Sequence, residues 1–135
     1  MSDMIKFQNS ISAAEFCKLR ESVGFQKLTM EQAETVLSNT TFIVNAVYEG
    51  KSVGIVRILT DMLTDAYITD VIVIPDFQGR GLGKQLLDKT LEYLKYHAME
   101  NVSLYANPDK KAFYEKFGFK KIPNNKYGYG MLLEL

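Results

Sequence analysis

The sequence predicts an α+β fold in which a mixed sheet is flanked by helices. An apolar, β-branched stretch ends at Pro75, and a glycine-rich segment then leads into a helix with leucines on one face. Upstream, two β-rich runs meet at Glu49-Gly50, which is typical of a hairpin. Because a crossover helix usually returns the chain to a parallel neighbour, we expect parallel pairing across the helix that follows the glycines.

Chain length and charge limit the organisation and the partners. The chain has 135 residues, enough for one domain with a hydrophobic core and too few for two ordinary ones. We therefore expect residues 1–135 to form a single domain. Lys and Arg number 16 and Asp and Glu also number 16, so no global field attracts nucleic acid or an anionic membrane. Neither kind of partner is expected.

Cysteine usage and the start of the chain bear on the compartment. Cys17 is the single cysteine, and the first ten residues lack the apolar core of a signal peptide. No apolar run in the sequence approaches the roughly 18 residues of a membrane span. These features predict a soluble protein of the reducing cytoplasm.

Two helices are expected near the N-terminus, before the hairpin. Ser12–Glu15 has the pattern of a capping box, and Thr29–Gln32 repeats it. Apolar residues follow each pattern at helical spacing, and Gly24 interrupts the first helix. After the hairpin, a third strand is predicted from about Ala66 to Ile74.

The second half of the chain supplies the remaining elements. Leucines at helical spacing from Leu82 to Leu94 predict a third helix that begins inside the glycine loop. A short strand, "NVSLYA", follows it. The next helix has Asn107 as N-cap, Pro108 in its first turn and Gly118 at its end. A last strand pair is expected around the C-terminal "GYGMLLEL".

The glycine loop between the third strand and the third helix offers backbone amides to a ligand. Because three glycines alternate with larger residues, the main chain can approach a ligand with little side chain in the way. The N–H groups lie at a helix N-terminus, where the macrodipole favours an anion such as a pyrophosphate. The residues of the loop are Gln78, Gly79, Arg80, Gly81, Leu82, Gly83 and Lys84.

Two well-known phosphate-binding loops do not match this segment. A Walker A loop requires glycine at the position of Gln78 and Ser or Thr at the position of Gln85. A dinucleotide fingerprint requires a third glycine where Lys84 or Leu86 stands. A nucleotide-binding domain of either kind is therefore disfavoured.

The pattern Gln78-x-x-Gly81-x-Gly83, joined to "NPDKKAFYEKFGF" downstream, resembles the GNAT superfamily of acyl-CoA-dependent N-acetyltransferases. The resemblance is strongest from Ile68 to Phe119, and the element order of the whole chain agrees with it. It implies a GNAT-like mixed central sheet whose strands splay to form an acetyl-CoA cleft. The activity it implies is direct acetyl transfer, in a ternary complex, from acetyl-CoA to a primary amine of a small molecule or an exposed amino group.

The resemblance also implies which residues bind the cofactor. Main-chain amides from Gly79 to Lys84 would hold the pyrophosphate of coenzyme A, and Gln78 would shape the loop. The preceding strand would pair with the pantetheine arm as another strand does, and Asn107 would bond to that arm. The strand residues involved are Val71, Ile72 and Val73. No metal is expected.

Two residues are candidates for proton transfer. An alkyl ammonium with a pKa of ~10 must lose a proton before it attacks a thioester, and Asp70 is the first candidate base. Because side chains alternate along a strand, only one of Thr69 and Asp70 is expected to face the cleft, and ordered water would serve if Thr69 does. The resemblance implies a cofactor-facing tyrosine at Tyr114, whose hydroxyl would protonate the departing thiolate. The alternatives are a bond from Asp70 to a backbone amide and a packing role for Tyr114.

The acceptor and the assembly have more than one interpretation. An acidic side chain in the acceptor pocket would attract a cationic amine, whereas Arg57 would favour an acceptor with a carboxylate or phosphate. The apolar "GYGMLLEL" suggests either a homodimer interface or ordinary core. The alternative to an enzyme is a non-catalytic acyl-CoA-binding or regulatory module. The candidate pocket residues are Phe25, Arg57, Asp61 and Tyr129.

Overall fold

The computed structural model describes residues 4–135 and contains two compact units, Met1–Leu104 and Tyr105–Leu135. Within the described residues, the first unit contains a five-stranded sheet and three helices, and the second contains one short helix. The expectation of a single domain over residues 1–135 stays a prediction. None of the described helices is long and apolar enough to cross a membrane.

The strands of the first unit are β1 (Lys6–Gln8), β2 (Phe42–Tyr48), β3 (Lys51–Thr60), β4 (Asp65–Val73) and β5 (Asn101–Ser103). They pair in chain order, so each strand lies beside its sequence neighbour. The first three pairings are antiparallel, and β4 pairs parallel with β5, which confirms the predicted crossover. The hairpin between β2 and β3 turns at Glu49 and Gly50, both at positive φ, as the sequence predicts.

The helices of the first unit are α1 (Ala13–Ser22), α2 (Met30–Ser38) and α3 (Leu82–Tyr96). At the start of α2, Thr29 accepts the N–H of Gln32 and the Gln32 side chain accepts the N–H of Thr29, so the predicted capping box is complete. At the start of α1, Ser12 accepts the N–H of Glu15. The Glu15 carboxylate does not complete that box, because it accepts the N–H of Ser52 in β3 instead.

The two faces of the sheet pack against different helices. On one face, Phe16 of α1 forms a buried cluster with Ile55 of β3 and Ile72 of β4. On the other face, α3 packs on β2, β3 and β4. Gly54 of β3 permits this approach, since a Cβ there would lie 2.8 Å from Leu86 Cδ1. The buried residues of α3 are Leu82, Leu86, Leu87, Thr90 and Leu94.

Two elements differ from the sequence prediction. Strand β1 was not predicted, because its three residues are too few to show an alternating pattern. The last strand pair expected around "GYGMLLEL" is wrong: no strand is described after β5, and the side chains from Met131 to Leu135 are exposed. A strand must pair its N–H and C=O groups with a neighbouring edge, and the second unit contains no strand that could supply one.

The second unit contains a 3-10 turn, Pro108–Lys110, followed by α4 (Lys111–Glu115). Asn107 stands at the N-cap position of the turn, although its side chain makes no capping bond. Gly118 follows α4 with a φ of 97°, which agrees with its predicted role at the helix end. The helix itself is shorter than predicted because its first residues form the 3-10 turn.

Candidate active site

The edge of β4 that faces β5 is open over its second half. Pairing between the two strands covers three positions and ends at Tyr67, which lies opposite Ser103. In the part of the chain that the structure describes, no strand pairs with this side of Ile68–Val73. An extended ligand could therefore pair with this edge through the backbone.

A β-bulge interrupts β4 beside the open edge. The pairing with β3 skips one residue between Thr69 and Ile72, so Asp70 and Val71 both stand opposite Val56. Asp70 has a φ of 49°, in the left-handed region. The simple alternation of side chains, on which the choice between Thr69 and Asp70 depended, breaks at this point.

Two arginines hold the Asp70 carboxylate. Arg57 of β3 donates Nε–H to Asp70 Oδ2 at 2.6 Å, and Arg20 of α1 donates from Nη1 to Oδ1 at 3.3 Å. The Asp70 side chain is only 8% exposed, so these ion pairs are largely shielded from water. Arg57 also bonds to Thr40 Oγ1 at 2.7 Å, and Arg20 bonds to the carbonyl oxygen of Gln26. Guanidinium groups, rather than the backbone amide considered above, engage both carboxylate oxygens.

The glycine loop connects the open edge to α3. Gly79 and Gly81 have φ values of 77° and 81°, which glycine adopts with little strain. Gln78 donates from Nε2 to the carbonyl oxygen of Val73 at 2.8 Å and so ties the loop to the end of β4. Among residues 4–135, no backbone carbonyl accepts from the N–H groups of Gly79 to Lys84. These groups lie at the N-terminus of α3, a setting that favours a bound anion.

The two basic residues of the loop are exposed and lie beside these amides. The Arg80 guanidinium lies 4.8 Å from the centroid of the Phe77 ring. Lys84 Nζ lies 2.8 Å from an oxygen of Asp88, one turn further along α3. An exposed pair of this kind contributes little to stability, so Lys84 loses little by turning to another anion.

A cavity of about 570 Å³ lies between α1, the β2–β3 hairpin and the Pro75–Phe77 turn. It is lined in part by Glu15, whose carboxylate accepts the N–H of Ser52 at 2.8 Å and lies 3.3 Å from Lys18 Nζ. The bond from Ser52, followed by the charge and hydrogen bond of Lys18, lowers the pKa of Glu15 despite its partial burial. None of the site residues predicted from the sequence lines this cavity.

Tyr114 and Asn107 belong to the second unit. Tyr114 is 9% exposed and is the one buried residue of Tyr105–Leu135, all of which the structure describes. The centroid of its ring lies 5.1 Å from that of Phe113 and 5.9 Å from that of Phe119. Burial raises the pKa of the Tyr114 hydroxyl above its ordinary value of 10.0, so the group keeps its proton at neutral pH. Asn107 is exposed.

The residues expected to line an acceptor pocket have different surroundings. Arg57 is ion-paired with Asp70. The centroid of the Phe25 ring lies 5.6 Å from the guanidinium of Arg20, which is also ion-paired with Asp70. Asp61 caps its own turn: its carboxylate accepts the Thr64 hydroxyl and three backbone N–H groups, and these bonds lower its pKa. Tyr129 is exposed in the second unit. The described residues contain no cluster of His, Cys, Asp and Glu that could hold a metal ion.

A mixed sheet with an open strand edge, followed by a loop with free amides at a helix N-terminus, defines a fold suited to an elongated anionic ligand. A family model described as an acetyltransferase (GNAT) domain matches residues 11–133. The chain therefore belongs to the GNAT acetyltransferase family. This confirms the resemblance that the loop and the "FYEKFGF" segment carry.

Curated relatives agree with this membership. The chain is 33% identical over 123 residues to the uncharacterized N-acetyltransferase ycf52 of Pyropia yezoensis, a match that covers 88% of this chain and 71% of that protein. It is 32% identical over 109 residues to the GCN5-related N-acetyltransferase 1, chloroplastic, of Arabidopsis thaliana, which covers 79% of this chain and 55% of that protein.

Solved structures have the same fold. A probable acetyltransferase of unknown function from meticillin-resistant Staphylococcus aureus superposes with a TM-score of 0.84 at 29% identity, covering 98% of this chain and 100% of that chain. A GNAT family acetyltransferase from Streptococcus pneumoniae gives a TM-score of 0.79 at 24% identity, with 97% of each chain covered, and this second likeness supports the fold alone. The predicted α+β class with a mixed sheet is thus confirmed.

Proposed function

We propose that this protein transfers an acetyl group from acetyl-CoA to a primary amine of a small molecule or to an exposed amino group. The observation that carries the proposal is the run of N–H groups from Gly79 to Lys84 without backbone acceptors, beside the open edge of β4. Family membership supplies the reaction class, acetyl transfer. Three points stay predictions: that the acceptor is an amine, that it attacks directly in a ternary complex, and that the protein is cytoplasmic.

The first unit offers acetyl-CoA an anion-binding loop and an open strand edge. The loop amides would bind its pyrophosphate, with Arg80 and Lys84 beside them, because anions are favoured at a helix N-terminus. The backbone of Val71–Val73 would pair with the amide groups of the pantetheine arm. We also propose Asn107 as a partner of that arm. When bound, acetyl-CoA supplies a thioester whose carbonyl carbon is attacked by the amine.

The amine must be neutral before it can attack, so its proton needs an acceptor. Both oxygens of Asp70 are engaged by Arg20 and Arg57, and this geometry favours ordered water near Thr69 as the acceptor. Asp70 as the general base is the competing prediction. Asp70→Asn, which removes the ionisable carboxylate, separates the two.

Tyr114 is the proposed proton donor to the departing sulfur. Burial raises the pKa of the Tyr114 hydroxyl, so the group is in its donor form at neutral pH. We predict that Tyr114→Phe lowers kcat by ~10²-fold or more, with acetyl-CoA affinity and thermal stability little changed. The measurement is steady-state kinetics on an identified acceptor, with Tyr96→Phe, an exposed tyrosine of α3, as the matched control. If Tyr114 only packs, the variant keeps its kcat and loses ~1 kcal/mol of stability.

The central experiment measures acetyl-CoA binding and turnover separately. Acetyl-CoA is expected to raise the melting temperature, because a ligand that binds only the folded state stabilises it. Release of free thiol is then followed with polyamines, arylalkylamines, amino sugars and peptides as acceptors. A protein that binds acetyl-CoA but releases no thiol with any acceptor supports the non-catalytic module instead. A protein that does not bind acetyl-CoA contradicts the proposal.

A further inference from the structure

The buried residues of β4 require one extra residue in the strand. Ile68 pairs with Ile58 and Ile72 pairs with Ile55, and all four are buried. Ile55 and Ile58 are separated by an odd number of positions in a regular part of β3, so they lie on opposite faces of the sheet. Opposed residues share a face, so Ile68 and Ile72 also lie on opposite faces. Ile68 and Ile72 are an even number of positions apart and would share a face in a regular strand. They can lie on opposite faces only if the strand contains a bulge between them.

Asp70 is suited to the extra position for two physical reasons. Aspartate enters the left-handed region with less strain than most residues, and its φ here is 49°. Without the bulge, Asp70 would oppose Val56 on the face that packs against α3, where a Cβ on Gly54 would meet Leu86. A carboxylate buried there without a counter-charge would be strongly unfavourable, because burial removes its hydration. In the bulge, the same carboxylate reaches two guanidinium groups.

The arginines that hold Asp70 are themselves fixed. Arg57 belongs to the neighbouring strand and Arg20 to α1, and their side chains are only 12% and 15% exposed. Both guanidinium groups lie 5.7 Å from the centroid of the fully buried Phe16 ring. Thr40 and the carbonyl of Gln26 accept further bonds from them. The carboxylate of residue 70 is therefore satisfied at one place, on the α1 side of the sheet.

We propose that Asp70 is a positioning residue that, through Arg20 and Arg57, fixes where the bulge lies in β4. This inference rests on the proposed function, because its consequence concerns acetyl-CoA. The position of the bulge decides which N–H and C=O groups of Val71–Val73 lie on the open edge. If the bulge shifts, the binding-competent conformation is less populated and the apparent affinity falls by the same factor. The carboxylate holds the strand and takes no proton from the amine.

Two substitutions at residue 70 separate backbone positioning from proton transfer. Asp70→Asn keeps an acceptor oxygen and a residue that tolerates the left-handed region. Asp70→Val is close in volume, and its β-branched side chain disfavours the left-handed region. An apolar side chain also suits the face of the sheet that packs against α3. By isothermal titration, we expect acetyl-CoA to bind Asp70→Asn within about threefold of the wild type and Asp70→Val about tenfold or more weakly. Glu34→Gln, on the exposed surface of α2, controls for the loss of one negative charge.

Kinetics on an identified acceptor supply a readout that stability alone does not change. Positioning predicts that Asp70→Val raises the KM for acetyl-CoA more than the KM for the acceptor. It also predicts that Asp70→Asn keeps the acidic limb of the pH profile of kcat/KM at its wild-type position. A general base would give the opposite pattern: Asp70→Asn would lose ~10²-fold or more in kcat and its acidic limb, with acetyl-CoA affinity unchanged. That pattern overturns the proposal.

Circular dichroism and melting curves establish that each variant is folded. If Asp70→Val does not fold, Arg57→Gln is the second variant, since it removes the ion pair between Arg57 and Asp70 and leaves residue 70 unchanged. It is expected to raise the KM for acetyl-CoA severalfold, and an unchanged KM overturns the proposal. Equal acetyl-CoA affinity of folded Asp70→Val and the wild type also overturns it. A wild type that does not bind acetyl-CoA refutes the proposed function itself, which is a different result.

Discussion

Two segments at the open edge of β4 reach the left-handed backbone conformation by different means. In the loop that follows β4, Gly79 and Gly81 adopt it because they have no side chain to clash, and their N–H groups have no backbone acceptors in the described chain. Within β4, Asp70 adopts it while Arg20 and Arg57 hold its carboxylate. The glycine loop requires the absence of side chains so that a ligand can approach, whereas the bulge requires a packed and ion-paired side chain to stay in place.

A left-handed residue can thus serve a site in two ways. Glycines leave the backbone N–H groups accessible to a ligand. A residue whose side chain is held by ion pairs fixes the position of a bulge, and so which backbone groups face the open edge. A Cβ at Gly79 or Gly81 would meet no heavy atom within 4 Å, so the loop tolerates volume and is sensitive to charge and backbone strain. The Asp70 side chain is 8% exposed and ion-paired, so the bulge is sensitive to volume and to the loss of its partners.

The largest effect is expected from breaking the glycine loop with a charge. Gly81→Asp places a carboxylate and a strained residue where the pyrophosphate is proposed to lie, and like-charge repulsion adds to that strain. We expect acetyl-CoA affinity to fall by about 100-fold or more, so that the thermal shift disappears. Gly50→Asp is the matched control, because Gly50 has a φ of 78° and equally open space in the β2–β3 turn. Equal thermal shifts in both variants would contradict the assignment of the loop.

A smaller effect is expected where glycine serves packing instead of access. Gly54 has an ordinary φ, but a Cβ there would lie 2.8 Å from Leu86 Cδ1 and 3.2 Å from the Ile72 carbonyl oxygen. Gly54→Ala should therefore destabilise the fold by about 1–2 kcal/mol, measured by urea unfolding. Gly128→Ala, in open space, is the control and should not destabilise. An equal free energy of unfolding for the two variants would rule out close packing as the reason for Gly54.

The smallest effect compares Asp70 with an aspartate that is held by its own turn. Asp61 has a lowered pKa because the Thr64 hydroxyl and three backbone N–H groups donate to it. Since the folded pKa is below the ordinary 3.8, the carboxylate stabilises the fold above that pH and loses this effect as the pH falls through the folded pKa. Asp61→Asn should lower the melting temperature slightly at pH 7, and the gap should shrink below about pH 4. A gap that is the same at pH 7 and pH 3 would contradict this assignment.

The sequence predicted the features that depend on local chemistry. The hairpin at Glu49 and Gly50, the capping box at Thr29 and the start of α3 near Leu82 each follow from a few adjacent residues. The glycine loop was visible for the same reason, and its cofactor role stays a prediction. The GNAT family followed from joining that loop to the "FYEKFGF" segment, and the family model confirms it.

The features that the sequence did not predict depend on residues far apart in the chain. Arg20 and Asp70 are 50 positions apart, and Arg57 and Asp70 are 13 apart, so no local pattern joins them. The bulge was hidden because apolar residues occupy both faces of β4 near Ile72. The strand pair predicted for the apolar C-terminal segment is wrong, because the structure describes no strand after β5. A homodimer formed through that segment stays a prediction, which light scattering would test.

The open edge of β4 also has a consequence for the solubility of the free protein. An unpaired edge of β-branched residues such as Val71, Ile72 and Val73 is a template on which a strand from another molecule can add. Under the proposed function, the edge must stay free of β5 to accept pantetheine, so the protein cannot protect it permanently. Bound acetyl-CoA would then occupy the edge and block the addition of a strand from another molecule. Concentrated protein without it should form β-rich aggregates faster, and saturating coenzyme should slow their growth.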